Sequence, residues 1–240
     1  MNESPKRRRP FKRLAAFAVL AAAVLIATAL LRHPQSPLPP QWNVFEPLDI
    51  DAPVTPLTQW KLDWAAQEDA LCLSVLAEAG QIETLPDLTA SETCGIAPRV
   101  RVSALGTARL DPVETTCATA LRTAMWERHG IQPAARALLG AEVSVIRHIG
   151  SYNCRSIRGS TTRWSTHATA QAIDISGFDL VDGRRLRLLS DWSSDGAEGI
   201  FLRQVRDAAC IWFKTTLGPE YNALHADHFH LQARGWGTCR

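Results

Sequence analysis

The longest apolar run lies near the start of the chain, where Leu14 to Leu31 gives 18 residues without a charge. As a helix this run is about 27 Å long, near the lower limit for crossing a bilayer. The pattern then changes abruptly. Residues 33–56 hold Pro34, Pro37, Pro39, Pro40, Pro47, Pro53 and Pro56, half of the chain's 14 prolines. Such a stretch predicts an extended, semi-rigid spacer that lifts the following domain off the membrane. The folded part is expected to begin near Leu57.

From there the periodicity alternates between helix and strand. Gln67 to Ala79 puts Leu71, Val75 and Leu76 on one side and meets Gly80, which predicts a helix. Arg99 to Leu105 alternates Val100, Val102 and Ala104 with polar residues, as a strand does. Pro112 is expected to open a helix running to about His129 and closed by Gly130. Pro133 starts a second, short helix, and Val143 to Ile149 reads as a strand. Ala172 to Ile175 is a short apolar run broken only by Asp174. Phe178 to Val181 and Leu186 to Leu189 flank Asp182-Gly183, a hairpin turn signal. Glu198 to Leu217 carries the clearest helical face, with Phe201, Val205, Ala208, Ala209 and Trp212, and Gly218-Pro219 ends it. His228 to Gln232 reads as a closing strand. The sum is an α+β domain, a small and mainly antiparallel sheet packed with helices, preceded by one transmembrane helix.

Charge divides the chain in the same place. Residues 1–32 carry seven basic side chains and one acid, a net +6, so the remainder carries −4 although the whole is +2. A mildly acidic body excludes broad phosphate neutralisation, so no nucleic-acid partner is expected. Six of the seven basic residues precede the apolar run. The positive-inside rule then makes 1–13 a cytoplasmic tail, 14–31 an inner-membrane anchor, 32–56 a linker and 57–240 a periplasmic domain. Ala27-Thr28-Ala29 also has the small-x-small form of a signal-peptide cleavage site, in which case the domain is secreted after Ala29. Both readings export the same domain. The six cysteines all lie beyond residue 32 and include no Cys-x-x-Cys pair. In an exported domain they predict three disulfides, and the pairing Cys72–Cys94, Cys210–Cys239 and Cys117–Cys154 is the expectation, out of 15 that six cysteines allow.

Of seven histidines, three crowd into six residues: His225, His228 and His230. A fourth, His167, precedes Asp174 by seven positions. Imidazole and carboxylate are good zinc donors, and clustering of this kind is what a metal site requires. On a strand His228 and His230 share a face, roughly 7 Å apart. One can bind a metal while the other handles protons. His167 and Asp174 cannot meet on one straight helix, since seven residues cover about 10 Å, so a turn must fold His167 back onto the strand holding Asp174. Two His and one Asp leave a fourth tetrahedral position open, as a catalytic zinc needs.

The stretch Ser165-x-His167-x-x-Ala170-x-Ala172-x-Asp174 resembles the Ser-x-His-x-x-Gly-x-Ala-x-Asp motif of the zinc D-alanyl-D-alanine carboxypeptidase and murein endopeptidase group, which shares its fold with the hedgehog signalling domain. Ala170 stands where that motif prefers Gly. The His225-x-x-His228-x-His230 ending is similar to that of the murein endopeptidases. The resemblance implies a zinc ion held by His167, Asp174 and His230, with His228 assisting catalysis and His225, Ser165 and Asp227 around them. The oxyanion needs a stabiliser, for which Arg155 or Tyr152 is the candidate; the resembling peptidases use an arginine near a Ser-x-Tyr-Arg segment, whereas Asn153 and Cys154 separate Tyr152 from Arg155 here. A second resemblance covers more of the chain. Gly150-Ser151-Tyr152-Asn153-Cys154-Arg155, the 167–174 stretch, Leu217-Gly218-Pro219 and His225 to His230 resemble the recurrent blocks of the bacterial extensin-like C-terminal domain family, over roughly Leu57 to Arg240.

The functional expectation is therefore a periplasmic, membrane-anchored zinc metallopeptidase-like protein that cleaves or binds peptidoglycan peptides. The alternative is a non-catalytic envelope or cell-wall binding module with a structural metal site, and a third reading is a disulfide-rich domain with no metal. Other conspicuous residues have plainer uses. His33, His129 and His148 fall outside any cluster and read as surface or packing residues. Trp192 and Trp212 read as core, and Asp191 and Asp195 as solvated loop carboxylates.

Overall fold

The computed structural model describes residues 9–160 and 162–240. Helix α1 (Arg9–Arg32) contains a stretch, Arg13–Arg32, that is long and apolar enough to cross a membrane, a test that a signal sequence also passes. The first eight residues of the basic tail lie outside the described ones.

The body follows as α2 (Thr58–Ala65), α3 (Asp69–Leu76), β1 (Gly80–Thr84), β2 (Leu88–Thr89), β3 (Gly95–Ile96), β4 (Arg99–Leu105), β5 (Ala108–Thr116), α4 (Cys117–Trp126), α5 (Gln132–Leu139) and β6 (Val143–Gly150). The second half has β7 (Ala172–Leu180), β8 (Arg185–Arg187), α6 (Leu188–Asp191), α7 (Ala197–Trp212), β9 (Thr215–Leu217), β10 (Phe229–Gln232) and β11 (Thr238–Cys239). Nine strands form one sheet in the order β1-β4-β5-β6-β7-β10-β9-β11, with β8 also paired to β7. Only β5–β6 and β9–β11 pair in parallel, so the sheet is mostly antiparallel, as expected.

Helices α4, α5 and α7 cover the sheet around a buried aromatic centre. Trp126 stands edge-on to Phe178, Phe213 and Phe229, with centroids 6.0, 6.1 and 6.4 Å away. Its indole N–H donates to the Val205 carbonyl at 2.8 Å, so the ring is buried without an orphaned donor. Trp212 is buried with this core, as its helical position implied.

Four local expectations are corrected. Pro112 does not open a helix but sits inside β5. The β4–β5 register jumps from Ala104↔Arg109 to Val102↔Val113, leaving Leu110, Asp111 and Pro112 opposite Ser103 alone. A bulge of this kind tolerates a residue that cannot donate to the ladder. Gly130 does not end α4, because a π-helical turn, Glu127–Ile131, carries the chain directly into α5. Helix α7 stops at Trp212 rather than Leu217: Phe213 is extended, and the β-branched pair Thr215-Thr216 joins β9 against β10. The disulfides are Cys72–Cys117, Cys94–Cys154 and Cys210–Cys239, so only the last expected pair forms. Packing of α3 beside α4 brings Cys72 to the first residue of α4, overriding the shorter separation from Cys94.

The proline-rich segment, expected as an extended, semi-rigid spacer, is strapped to the domain along its length. Lys61, only 3 % exposed, donates from Nζ to the Pro40 carbonyl at 2.7 Å and to that of Pro47 at 3.4 Å. Leu48 enters the core. Thr55 Oγ1 donates to the Gln41 carbonyl at 3.0 Å, and His129 Nε2 donates to that of Ile50 at 2.8 Å. Buried Asn43 reaches back to the end of α1, donating to the Leu31 carbonyl at 2.6 Å.

Candidate metal centre

Strand pairing delivers two of the predicted ligands. Strands β10 and β7 run antiparallel with His230 directly opposite Asp174, so both side chains leave the same face of the sheet. The third arrives from a turn. Ser165 caps a 3-10 turn, Thr166–Thr169, its Oγ accepting from the His167 amide at 3.3 Å. The chain then reverses at Ala170 with φ of +49°, the one non-glycine positive φ among the described residues, and enters β7. That left-handed conformation explains why the resembling motif prefers Gly there. Hydroxyls hold the reversal in place: the Ala170 carbonyl accepts from Thr115 Oγ1 at 3.0 Å, Thr119 Oγ1 at 3.1 Å and Thr116 Oγ1 at 3.3 Å.

The result is the convergence expected from the sequence. His167 Nε2 lies 3.1 Å from His230 Nδ1 and 3.2 Å from Asp174 Oδ2, and His230 Nδ1 lies 2.8 Å from Asp174 Oδ1. Ligands at about 2.0–2.1 Å from a tetrahedral zinc stand about 3.4 Å apart, so the three groups fit a metal ion with small adjustments. Their outer atoms are also arranged for it. His167 Nδ1 donates to the Ser151 carbonyl at 2.7 Å, which puts the neutral ring's lone pair on Nε2, facing the other two ligands. His230 Nε2 meets the Gln232 side-chain amide at 2.8 Å. An amide offers both a donor and an acceptor, so it can pair with either tautomer of His230.

Electrostatics tie the three together in the metal-free state. Burial works to raise the Asp174 pKa, but hydrogen bonds from His167 and His230 overcome it and hold the carboxyl far below the usual range. Burial works to lower the His167 pKa, but its hydrogen bond and charge attraction to Asp174, with its bond to the Ser151 carbonyl, together outweigh that and leave it raised above 6.5.

His228 precedes β10 rather than lying in it, yet it still reaches the site, its Nε2 3.7 Å from Asp174 Oδ1. Asp227 also lies ahead of the strand, so strand alternation does not turn it away from His228, and its Oδ1 accepts from His228 Nδ1 at 2.8 Å. His225 packs against both neighbours, with ring centroids 5.2 Å from His228 and 5.7 Å from His230. Burial, with the charges of His230 and His228, pushes its pKa down to about 4. Its Nδ1 donates to Asn222 Oδ1 at 2.8 Å.

All of this opens on a cleft of about 920 Å³. Arg155 and Ser165 line it, whereas Tyr152 does not. Arg155 lies near enough for its charge to oppose protonation of His167. Sequence reasoning missed Ser151, Gln232 and Asn222, which orient the histidines. Gln232 is the only one of them it could have found, as the next same-face residue after His230 on the strand. His148 and His129 stay outside the site, bonded to the Asp111 and Ile50 carbonyls.

Fold and site define an α+β domain with a candidate three-ligand metal centre at the floor of a cleft. The family model described as extensin-like protein C-terminus matches residues 70–240, and the chain belongs to that family. No curated protein and no solved structure matches the chain.

Proposed function

We propose that this protein is a membrane-anchored, zinc-dependent peptidase-like hydrolase of the periplasm, acting on the stem or cross-link peptides of peptidoglycan. The observation that carries the reading is the meeting of His167, Asp174 and His230 beside an open cleft, with the His167 proton pinned on Nδ1 by a carbonyl. Three protein ligands with a free fourth position suit a catalytic rather than a closed structural zinc. A zinc ion held there supplies Lewis-acid polarisation of a carbonyl and acidifies water. His228 is the proton carrier: Asp227 fixes its Nδ1 proton, so Nε2 is free to take one and return it to a leaving amine. Arg155 faces the same space and can balance negative charge growing on a carbonyl oxygen. The motif resemblance to the zinc D,D-peptidase and hedgehog group supports the same assignment, by analogy.

Location supports the substrate. The basic residues before α1 favour a cytoplasmic N-terminus, and three disulfides favour an oxidising compartment beyond it. Peptidoglycan is the abundant peptide polymer there.

The test is metal content together with turnover. The full chain, purified in detergent, is expected to hold one zinc and to release muropeptides from isolated sacculi. His228→Ala is expected to keep the metal and lose about 10²-fold or more of the turnover. Zinc without released muropeptides, in the unaltered chain, would instead assign a wall-binding module with a structural metal.

A further inference from the structure

We propose that the cleft selects peptides bearing two or more carboxylates, received by an arginine-lined ribbon that forms one of its walls. The inference rests on the hydrolase reading only in taking the bound molecule to be a peptide lying across the metal centre.

The described residues of the ribbon are 154–160 and 162–165. Its two arms pair through Ile157 N–H to the Arg163 carbonyl at 2.8 Å, a Ser156↔Trp164 bridge, and Ser165 N–H to the Arg155 carbonyl at 3.0 Å. The Cys94–Cys154 disulfide fastens its base to the body. It brings Arg155, Arg158 and Arg163 to the cleft, all three exposed.

Many arginines elsewhere are neutralised, although Arg109, Arg185, Arg203, Arg234 and Arg240 pair with no carboxylate among the described residues; what sets the ribbon apart is three such groups on one cleft. Arg99, Arg101, Arg122, Arg147, Arg184 and Arg187 each meet a carboxylate within salt-bridge distance. Among the described residues no carboxylate lies within that distance of Arg155, Arg158 or Arg163, and the only acid lining the cleft, Asp174, is turned onto two imidazoles. Three like charges on one concave wall repel one another and focus a positive potential into the space they enclose. An anionic ligand relieves that repulsion. A guanidinium matches a carboxylate through two parallel hydrogen bonds, which a single-point cation cannot do. The lining also supplies apolar surface: Tyr221 and Leu224 are 47 % and 51 % exposed, and Trp164 and Ile157 on the ribbon itself 47 % and 39 %. The cleft thus favours a peptide whose carboxylates meet the guanidinium groups and whose small apolar groups meet the aromatic and aliphatic surface among them.

The test uses the full chain in detergent, zinc-loaded and carrying His228→Ala to suppress turnover. The probes are N-acetyl-Ala-Glu-Lys-Ala-Ala with both carboxylates free, its twin with Gln for Glu and a C-terminal amide, and inorganic triphosphate. The free acid is expected to bind at least about ten-fold more tightly than the twin at low salt. Arg158→Gln with Arg163→Gln is expected to cut that ratio to below about three-fold without changing zinc content, while the paired Lys variants retain part of it. Equal binding of the twins, a ratio that survives the double Gln variant, or triphosphate binding more tightly than the acidic peptide would each overturn the proposal. A double variant that fails to fold is recognised by lost zinc, and Arg163→Gln alone then decides. If the ratio holds while the unaltered chain digests no sacculi, the hydrolase reading fails and this one stands. Digestion with a ratio near one gives the reverse.

Discussion

Asp63 and Asp174 both sit among hydrogen-bond donors, and they are served differently. Asp63 accepts from Arg122 on one oxygen at 2.7 Å and from Lys214 on the other at 2.6 Å. Arg122 is 3 % exposed and spends another N–H on the Trp212 carbonyl at 2.7 Å. Each carboxylate oxygen thus has a cationic side chain of its own, and the cluster ties α2 to α4 and to the end of α7. Asp174 is met by two imidazoles instead of a guanidinium or an ammonium, with a third, His228, alongside and a cleft in front. The first arrangement is closed and holds the fold. The second lacks a permanent positive charge, and a divalent cation is what would complete it.

The comparison breaks most sharply at the ligands. Asp174→Asn should lower zinc affinity by more than about 100-fold, beyond the loss that follows from disturbing only an outer partner, as read by competition with a fluorescent chelator. Asp63→Ala should leave zinc affinity alone and instead destabilise the domain by about 2–3 kcal/mol. That lies below the loss for a fully buried pair because Asp63 is 32 % exposed. Urea unfolding of the full chain reads it, and an unchanged midpoint would mean that the Arg122 cluster holds nothing.

A smaller effect sharpens the contrast through pH. The Asp63 pKa is lowered, burial being outweighed by hydrogen bonds from Lys214 and Arg122. Its contribution is therefore present above about 3.8 and lost only as pH falls through the folded value. The His167 pKa is raised, so its contribution is full below 6.5 and disappears as pH climbs through the folded value. The metal-free protein should then melt at a lower temperature at pH 8 than at pH 5.5, and His167→Ala should remove most of that difference. With zinc present the slope should reverse, since metal and proton compete for the same nitrogen.

Much of the second cluster was legible in the sequence because its information is local. His230 has strand alternation around it, and the His167–Asp174 spacing demands a turn that places both at one point. What was hidden depends on distant packing. Nothing near Pro112 announces that Ser103 alone will face three residues across a bulge. Nothing near Cys72 says that α3 lies beside the start of α4. The π turn at Glu127–Ile131 hides Gly130 inside a continuous rod, where a stop signal was the natural reading. Gln232 and Ser151 escaped notice because an orienting hydrogen bond leaves no periodic trace.

The strap from Pro40 to Pro47, gripped by the Lys61 ammonium, bears on how far the cleft can travel. A loose 24-residue leash would let the domain sweep several nanometres above the bilayer. Fastened at Pro40 and joined to α1 through Asn43, the body is more like a turret than a kite: with α1 kept in a membrane, it can rotate about its mooring but holds the cleft at one height.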